Sequence, residues 1–173
     1  VAVALIMNSG LDPSYALKLR RNAISDDVMW ASHSRVGNPS PVPIGPTLKT
    51  ELARAPKHNA ITILATSAGK PWTYNRFSTV WHRFKKKLEA EDAVQPGLTP
   101  KGLRHTVATT LRETGLDERQ IADLLGQKTP AMARHYSRSA NLADRNRITM
   151  ETLEKENEHR SKVVKPFKKT VKP

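Results

Sequence analysis

The chain has 173 residues, of which 29 are Lys or Arg and 16 are Asp or Glu, for a formal net charge of +13. That length suffices for one domain with its own core. The absence of cysteine excludes disulfide scaffolds, thiol catalysis and Cys-ligated zinc or iron–sulfur centres, and no apolar run approaches the ~20 residues of a membrane span. A basic excess of this size predicts a polyanionic partner, foremost nucleic acid, through counterion release from phosphates; the bland alternative is solubility.

The opening VAVALIM reads as the middle of a helix and lacks the basic flank of a signal peptide, so the chain is expected to be a piece of a longer one. Asp12-Pro13, Thr99-Pro100 and Thr129-Pro130 each read as an N-cap followed by proline at the first helical position. Val28–Ala31 and Pro41–Ile44 flank SHSRVGNPS and predict a hairpin, with Pro41 and Pro43 placing their strand at an edge. Ile61–Leu64 is expected to add a third strand. From Thr73 a helix is predicted with Phe77, Val80, Trp81, Phe84 and Leu88 on one buried stripe. Arg83, Lys85, Lys86 and Lys87 form its other face, solvated or turned to DNA.

From Thr99, Leu103, Val107 and Leu111 recur every four residues until Gly115 stops the helix. Asp117 opens a short helix through Ile121, Leu124 and Leu125, ended by Gly126, and Thr129 opens another through Tyr136. Asn141 and Asp144 have capping-box spacing for a helix to about Arg160. The segment from His159 to Pro173 holds six basic residues and no acid, and its two prolines and lack of periodicity predict an extended or disordered tail. The expected fold is therefore mainly α with a small antiparallel β-sheet (α+β), a domain over residues 1–158 and a basic tail over 159–173.

Several chemistries are missing. There is no G-x-x-x-x-G-K-[ST], G-x-G-x-x-G or H-E-x-x-H motif, and the six histidines do not fall at ligand spacing with carboxylates. The acidic doublets Asp26-Asp27 and Glu91-Asp92 sit in predicted loops, whereas a two-metal nuclease needs clustered carboxylates. No metal and no small-molecule cofactor is expected. Phosphate chemistry here would rest on cationic side chains and a protein nucleophile.

One segment is more specific. GLTPKGLRHTVATTLRETGLDERQIADLLGQKTPAMARHYSRSA, from Gly97 to Ala140, resembles the C-terminal half of the tyrosine recombinase (phage integrase) catalytic domain. The resemblance rests on Leu103-Arg104-His105-Thr106 at the start of a helix, Leu124-Leu125-Gly126 closing the next, and Tyr136, 32 positions after Arg104. Asn8 to Ile24 resembles the family's first helical motif more loosely, Ser34 to Gly45 its hairpin, and Ala65 to Phe77 its connecting segment. The family's N-terminal core-binding domain, which closes the clamp around DNA, has no counterpart in this sequence.

The resemblance implies metal-free breaking and joining of DNA. A tyrosine hydroxyl attacks a phosphodiester, forms a 3′-phosphotyrosyl bond, and a free 5′-hydroxyl reverses the step. Guanidinium groups fork onto the non-bridging oxygens, because their planar donors match phosphate and stay charged. By resemblance Tyr136 is the nucleophile and Arg104 the second arginine of the family. Lys101 stands where the family usually has histidine, Gln127 where it has His or Trp, and Arg35 where a hairpin lysine acts as general acid. Asp12 stands where the first arginine is expected, and local chemistry reads it as an N-cap. Arg20 and Arg21, two turns further on, are the nearest substitutes. Lys128 and Arg134 join Arg104, Lys101 and Arg35 as expected DNA contacts, while His105 and His135 read as structural.

The expected partner is double-stranded DNA, bound by a homo-oligomer, a tetramer in the family, whose C-terminal segment passes to a neighbouring copy or lies along phosphates. The expected location is the cytoplasm of a bacterium, at the nucleoid. Two other readings stay open: a recombinase relative that binds DNA without cutting it, and a basic helical protein-interaction domain.

Overall fold

The computed structural model describes residues 1–32 and 40–163, with no side chain described at 144, 145 or 160–163. The chain divides into two units, Val1–Ala140 and Asn141–Pro173.

In the first unit, α1 (Ala2–Ser9) ends at Gly10, whose φ of 66° closes the helix in the left-handed region. A side chain at this position is doubly disfavoured: a Cβ would also lie 2.3 Å from Leu125 Cδ2. Four-residue α2 (Pro13–Ala16) is capped as predicted by Asp12, whose carboxylate accepts the Ser14 N–H at 2.9 Å. A short 3-10 turn over Arg21–Ala23 leads into β1 (Ile24–Ser25). Asp26 and Asp27 then turn the chain with φ of 51° and 60°, the two positive values a type I′ hairpin turn demands. The strand that follows, β2 (Val28–Ala31), pairs antiparallel with β3 (Ser40–Pro43), giving the order β1-β2-β3 with proline-rich β3 at the edge.

The third strand is therefore Ile24–Ser25 and not Ile61–Leu64. The latter makes a single bridge, Arg20 to Thr62, and donates Ile63 N–H to the Leu19 carbonyl, but runs no ladder. Helix α3 (Pro46–Ala53), with Pro46 at its first turn and only Leu48 buried, was not evident in the periodicity. Helix α4 (Tyr74–Ala90) starts at its Thr73 cap. Its stripe is buried only at the start: Phe77 packs edge-on to Trp72 and tilted on Trp81, whereas Val80 is 43% and Phe84 52% exposed. Amphipathic spacing identifies an apolar stripe without guaranteeing a neighbour along its length. Of the basic face, Lys85 pairs with Glu89 at 3.3 Å and Lys87 with Glu91 at 3.9 Å.

Helices α5 (Pro100–Glu113), α6 (Glu118–Leu124) and α7 (Pro130–Tyr136) follow the expected punctuation. Thr99 caps α5 through the Gly102 N–H, and Asp117 with Gln120 forms a full capping box on α6. Thr129 has extended backbone at the cap of α7 but contributes no side-chain bond there. Two cores result. One gathers α1, the sheet and the segment around Ile63 and Leu64, through Leu5, Ile6, Leu11, Met29 and Leu48. The other joins α5, α6 and α7 through Val107, Ile121, Leu125 and Ala133, with Met7 and Tyr136 packed against it.

The second unit holds α8 (Ala143–Val163). The Asn141 side chain accepts the Ala143 N–H at 3.0 Å at the start of this helix; the expected contribution of the Asp144 side chain lies outside the described residues. The helix continues past the expected end near Arg160. No described helix is long and apolar enough to cross a membrane.

Candidate active site

Arg104 lies one turn into α5 and is 5% exposed. Its Nη1 donates to the Gly10 carbonyl at 2.6 Å and its Nη2 to the Leu125 carbonyl at 2.7 Å. The guanidinium thus joins the carboxyl ends of α1 and α6, where helices leave carbonyls without internal partners and a cation is favoured. Gly10 and Leu125 approach closely because residue 10 has no side chain, which ties the arginine's placement to that glycine. A further hydrogen bond reaches the Tyr136 hydroxyl, and the guanidinium carbon lies 5.4 Å from the centre of the Tyr136 ring. Burial lowers the basicity of Arg104, opposed by the nearby Tyr136 and Asp12 side chains. Arginine's high intrinsic basicity keeps it charged.

Tyr136 ends α7 and is half-buried, with its ring against the second core. Its other neighbours are histidines. His105 stacks on it with ring centres 4.2 Å apart at 25°, and His135 meets both rings edge-on, at 6.1 Å from His105 and 5.8 Å from Tyr136. The spacing of α5 and α7 residues made the stack possible; sequence reading gave these histidines only a structural place. Burial lowers the His105 pKa, countered by a hydrogen bond to the Tyr136 backbone and reinforced by the nearby charges of His135, Arg138 and Lys101. The Tyr136 ring thus lies between a stacked imidazole on one side and the Arg104 guanidinium on another.

An open cavity of about 270 Å³ lies at this point, walled by Asp12, Arg104, Gln127, Lys128 and Tyr136 among others. Gln127 is 9% exposed, and neither its Nε2 nor its Oε1 has a hydrogen-bond partner among the described residues. A buried amide left without partners loses about 1–3 kcal/mol for each desolvated group, and Gln127 is a residue of the cavity wall. Lys128 is exposed at the same cavity. Asp12 faces it too, so the carboxylate expected to be only a cap also contributes negative charge beside Arg104.

The remaining expected residues are elsewhere. Lys101 is exposed on the first turn of α5, near enough to influence His105 but not among the walls of the cavity. Arg134 grips Glu118 with two hydrogen bonds, of 3.0 and 2.8 Å. Arg21 is held by the carbonyls of Ala60 and His58, at 3.1 and 3.0 Å, and does not reach the cavity as a substitute for an arginine at position 12. Arg20 also falls outside the cavity wall. Arg35 lies outside the described residues. Among the described residues no three His, Cys, Asp or Glu side chains gather so as to hold a metal ion.

Residues 2–142 match the model of the phage integrase family. No match was found among the curated proteins. Among solved structures, the integrase of the Tn1549 transposon in complex with circular intermediate DNA superposes with a TM-score of 0.69 at 20% identity, covering 86% of this chain and 56% of that one. XerA recombinase gives 0.67 at 18%, covering 87% and 57%. A lambda integrase dimer bound to a COC′ core site gives 0.66 at 22%, covering 79% and 50%. The chain thus spans little more than half the length of the proteins it resembles. These superpositions share the α+β architecture described above, and the family match runs from α1 to just past Tyr136: the chain belongs to the phage integrase family of tyrosine recombinases and carries its catalytic-domain fold.

Proposed function

We propose that this domain cleaves and rejoins duplex DNA in site-specific recombination, with Tyr136 as the nucleophile. The observation that carries this reading is the meeting of Arg104 and Tyr136, far apart in sequence, beside a cavity whose wall also includes Gln127, a buried amide without a partner among the described residues. The Tyr136 oxygen forms a bond to phosphorus as the bond to the 5′-oxygen breaks. The phenol proton passes to solvent or a neighbouring base, and the 5′-oxygen takes up a proton. Arg104 and the Gln127 amide N–H stabilise the non-bridging oxygens, where charge grows in the transition state. Protonation of the leaving oxygen is assigned to the ammonium of Lys128, a reading supported by its exposure at the cavity. Lys101 and Arg35 are assigned to the flanking backbone. Rejoining runs the same steps backwards with the 5′-hydroxyl of a partner strand, which calls for several copies of the protein on DNA within the cell's DNA-containing compartment.

The test is a nicked duplex that traps the covalent product, carrying the attachment site of the protein's own element. A protein–DNA adduct stable to denaturation is expected with the wild type and absent with Tyr136→Phe. Its absence from the wild type while DNA is still bound would replace this reading with that of a DNA-binding relative that does not cut. Sedimentation of the protein–DNA mixture tests the assembly, with complexes larger than one copy per site expected.

A further inference from the structure

Beside the cavity at Tyr136 lies a second one, also about 270 Å³, and Tyr15 belongs to the walls of both. The polar side chains on it are Tyr15, Lys18, Arg20, Asn22 and Ser32, with the indole of Trp30. All of these can donate a hydrogen bond, and no carboxylate is among the lining residues. Lys18 and Arg20 are exposed, and no ion pair engages either among the described residues. The contrast with Arg21 and Arg134 is direct: those guanidinium groups are occupied by His58, Ala60 and Glu118.

Trp30 adds a second observation. It sits at an outward position of β2, opposite Pro41, and is 50% exposed, while its neighbours Met29 and Ala31 are fully buried. An exposed indole flanked by two uncommitted cations is the combination of flat apolar surface and positive charge that holds a sugar–phosphate backbone.

We propose that this groove is a phosphate-binding subsite that holds the DNA backbone next to the phosphodiester at Tyr136, with Lys18 and Arg20 on phosphate oxygens and Trp30 against the adjoining sugar. The proposal rests on the recombinase reading for the neighbouring site. It assigns the subsite to positioning: contacts to phosphate and sugar set register and orientation and carry no base preference.

The experiment is a binding titration of the 173-residue chain with fluorescein-labelled duplexes of unrelated sequence, read by anisotropy from 50 to 200 mM salt. Each of Lys18→Ala and Arg20→Ala should weaken binding about eightfold at 0.1 M salt, the effect of one lost phosphate contact, and should reduce the slope of log K against log salt by about 0.9. The loss should be the same on every duplex. Intrinsic fluorescence should fall when unlabelled duplex is added, and this quenching should disappear in Trp30→Phe, because Trp72 and Trp81 are half-buried against the core. Arg54→Ala, at an arginine 74% exposed on its side chain and paired with Glu51, controls for the loss of one charge, and thermal melting confirms that every variant is folded. A Lys18→Ala/Arg20→Ala protein that is folded and binds with the wild-type slope overturns the proposal, as does quenching that persists in Trp30→Phe. Failure of the Tyr136 adduct assay would leave these binding measurements standing, so the two readings fail separately.

Discussion

Replacing Asp12 by asparagine isolates an electrostatic penalty built into the site. A cavity of about 270 Å³ is roughly 8 Å across, so a phosphate inside it would lie about 6–8 Å from a carboxylate in the wall. At the effective dielectric of about 20 suited to such a site, two unit negative charges at that separation repel by about 2 kcal/mol. Open solvent and salt reduce this to about 1–2 kcal/mol, or roughly 5- to 30-fold in affinity. Asparagine caps helices as well as aspartate does, so the bond to the Ser14 N–H at 2.9 Å should persist and stability should change by no more than a few tenths of a kcal/mol. Arg104 keeps its charge in either protein. Asp12→Asn should therefore bind duplex DNA 5- to 30-fold more tightly in an anisotropy titration at 0.1 M salt, with an unchanged melting temperature. Asp12→Ala should gain similar affinity but lose about 1 kcal/mol of stability with the cap. Equal or weaker binding by a normally folded Asp12→Asn protein would refute the argument that a phosphate enters this cavity.

Three further outcomes follow from the packing. Arg104→Ala removes charged hydrogen bonds to Gly10 and Leu125 and should destabilise the fold by about 3 kcal/mol, lowering the melting temperature by roughly 6–12 °C; a loss of DNA cleavage with unchanged melting would contradict this structural share. Gly10→Ala should destabilise by about 2–4 kcal/mol in denaturant titration, from the left-handed backbone plus the clash with Leu125 Cδ2. Gly115→Ala, where a Cβ meets nothing within 4 Å, should cost only the backbone term, and equal effects would dismiss the close approach of α1 and α6. Because the folded pKa of His105 lies below its ordinary value of 6.5, the unfolded chain binds more protons as pH falls through that value, and stability should decline below about pH 6.5 before levelling beneath the folded pKa. His105→Phe, which preserves the ring stack on Tyr136, should weaken that decline in melting temperature between pH 7 and 5; an unaltered pH profile would remove His105 as its source.

Local chemistry alone settled the helix starts. Asp12-Pro13 and Thr99-Pro100 carry both the cap and the proline-compatible first turn within a few residues, so neither depends on a distant partner. The paired Arg104 and Tyr136 were legible too, because their surroundings repeat a family's pattern. Tertiary structure decided what propensity cannot reach. Ile24–Ser25 became a strand because the Asp26-Asp27 turn aims it at β2, while Ile61–Leu64, with better strand residues, found only one bridge. Phe84 obeys the helical spacing yet meets water, because α4 extends past the core that receives Phe77. The two carbonyl bonds of Arg104, the stack of His105 on Tyr136 and the Gln127 amide without a partner among the described residues exist only once α1, α5, α6 and α7 converge. Capping and turn formation are short-range and written into neighbouring residues, whereas burial, repulsion and unmet hydrogen bonds depend on what the rest of the chain brings alongside.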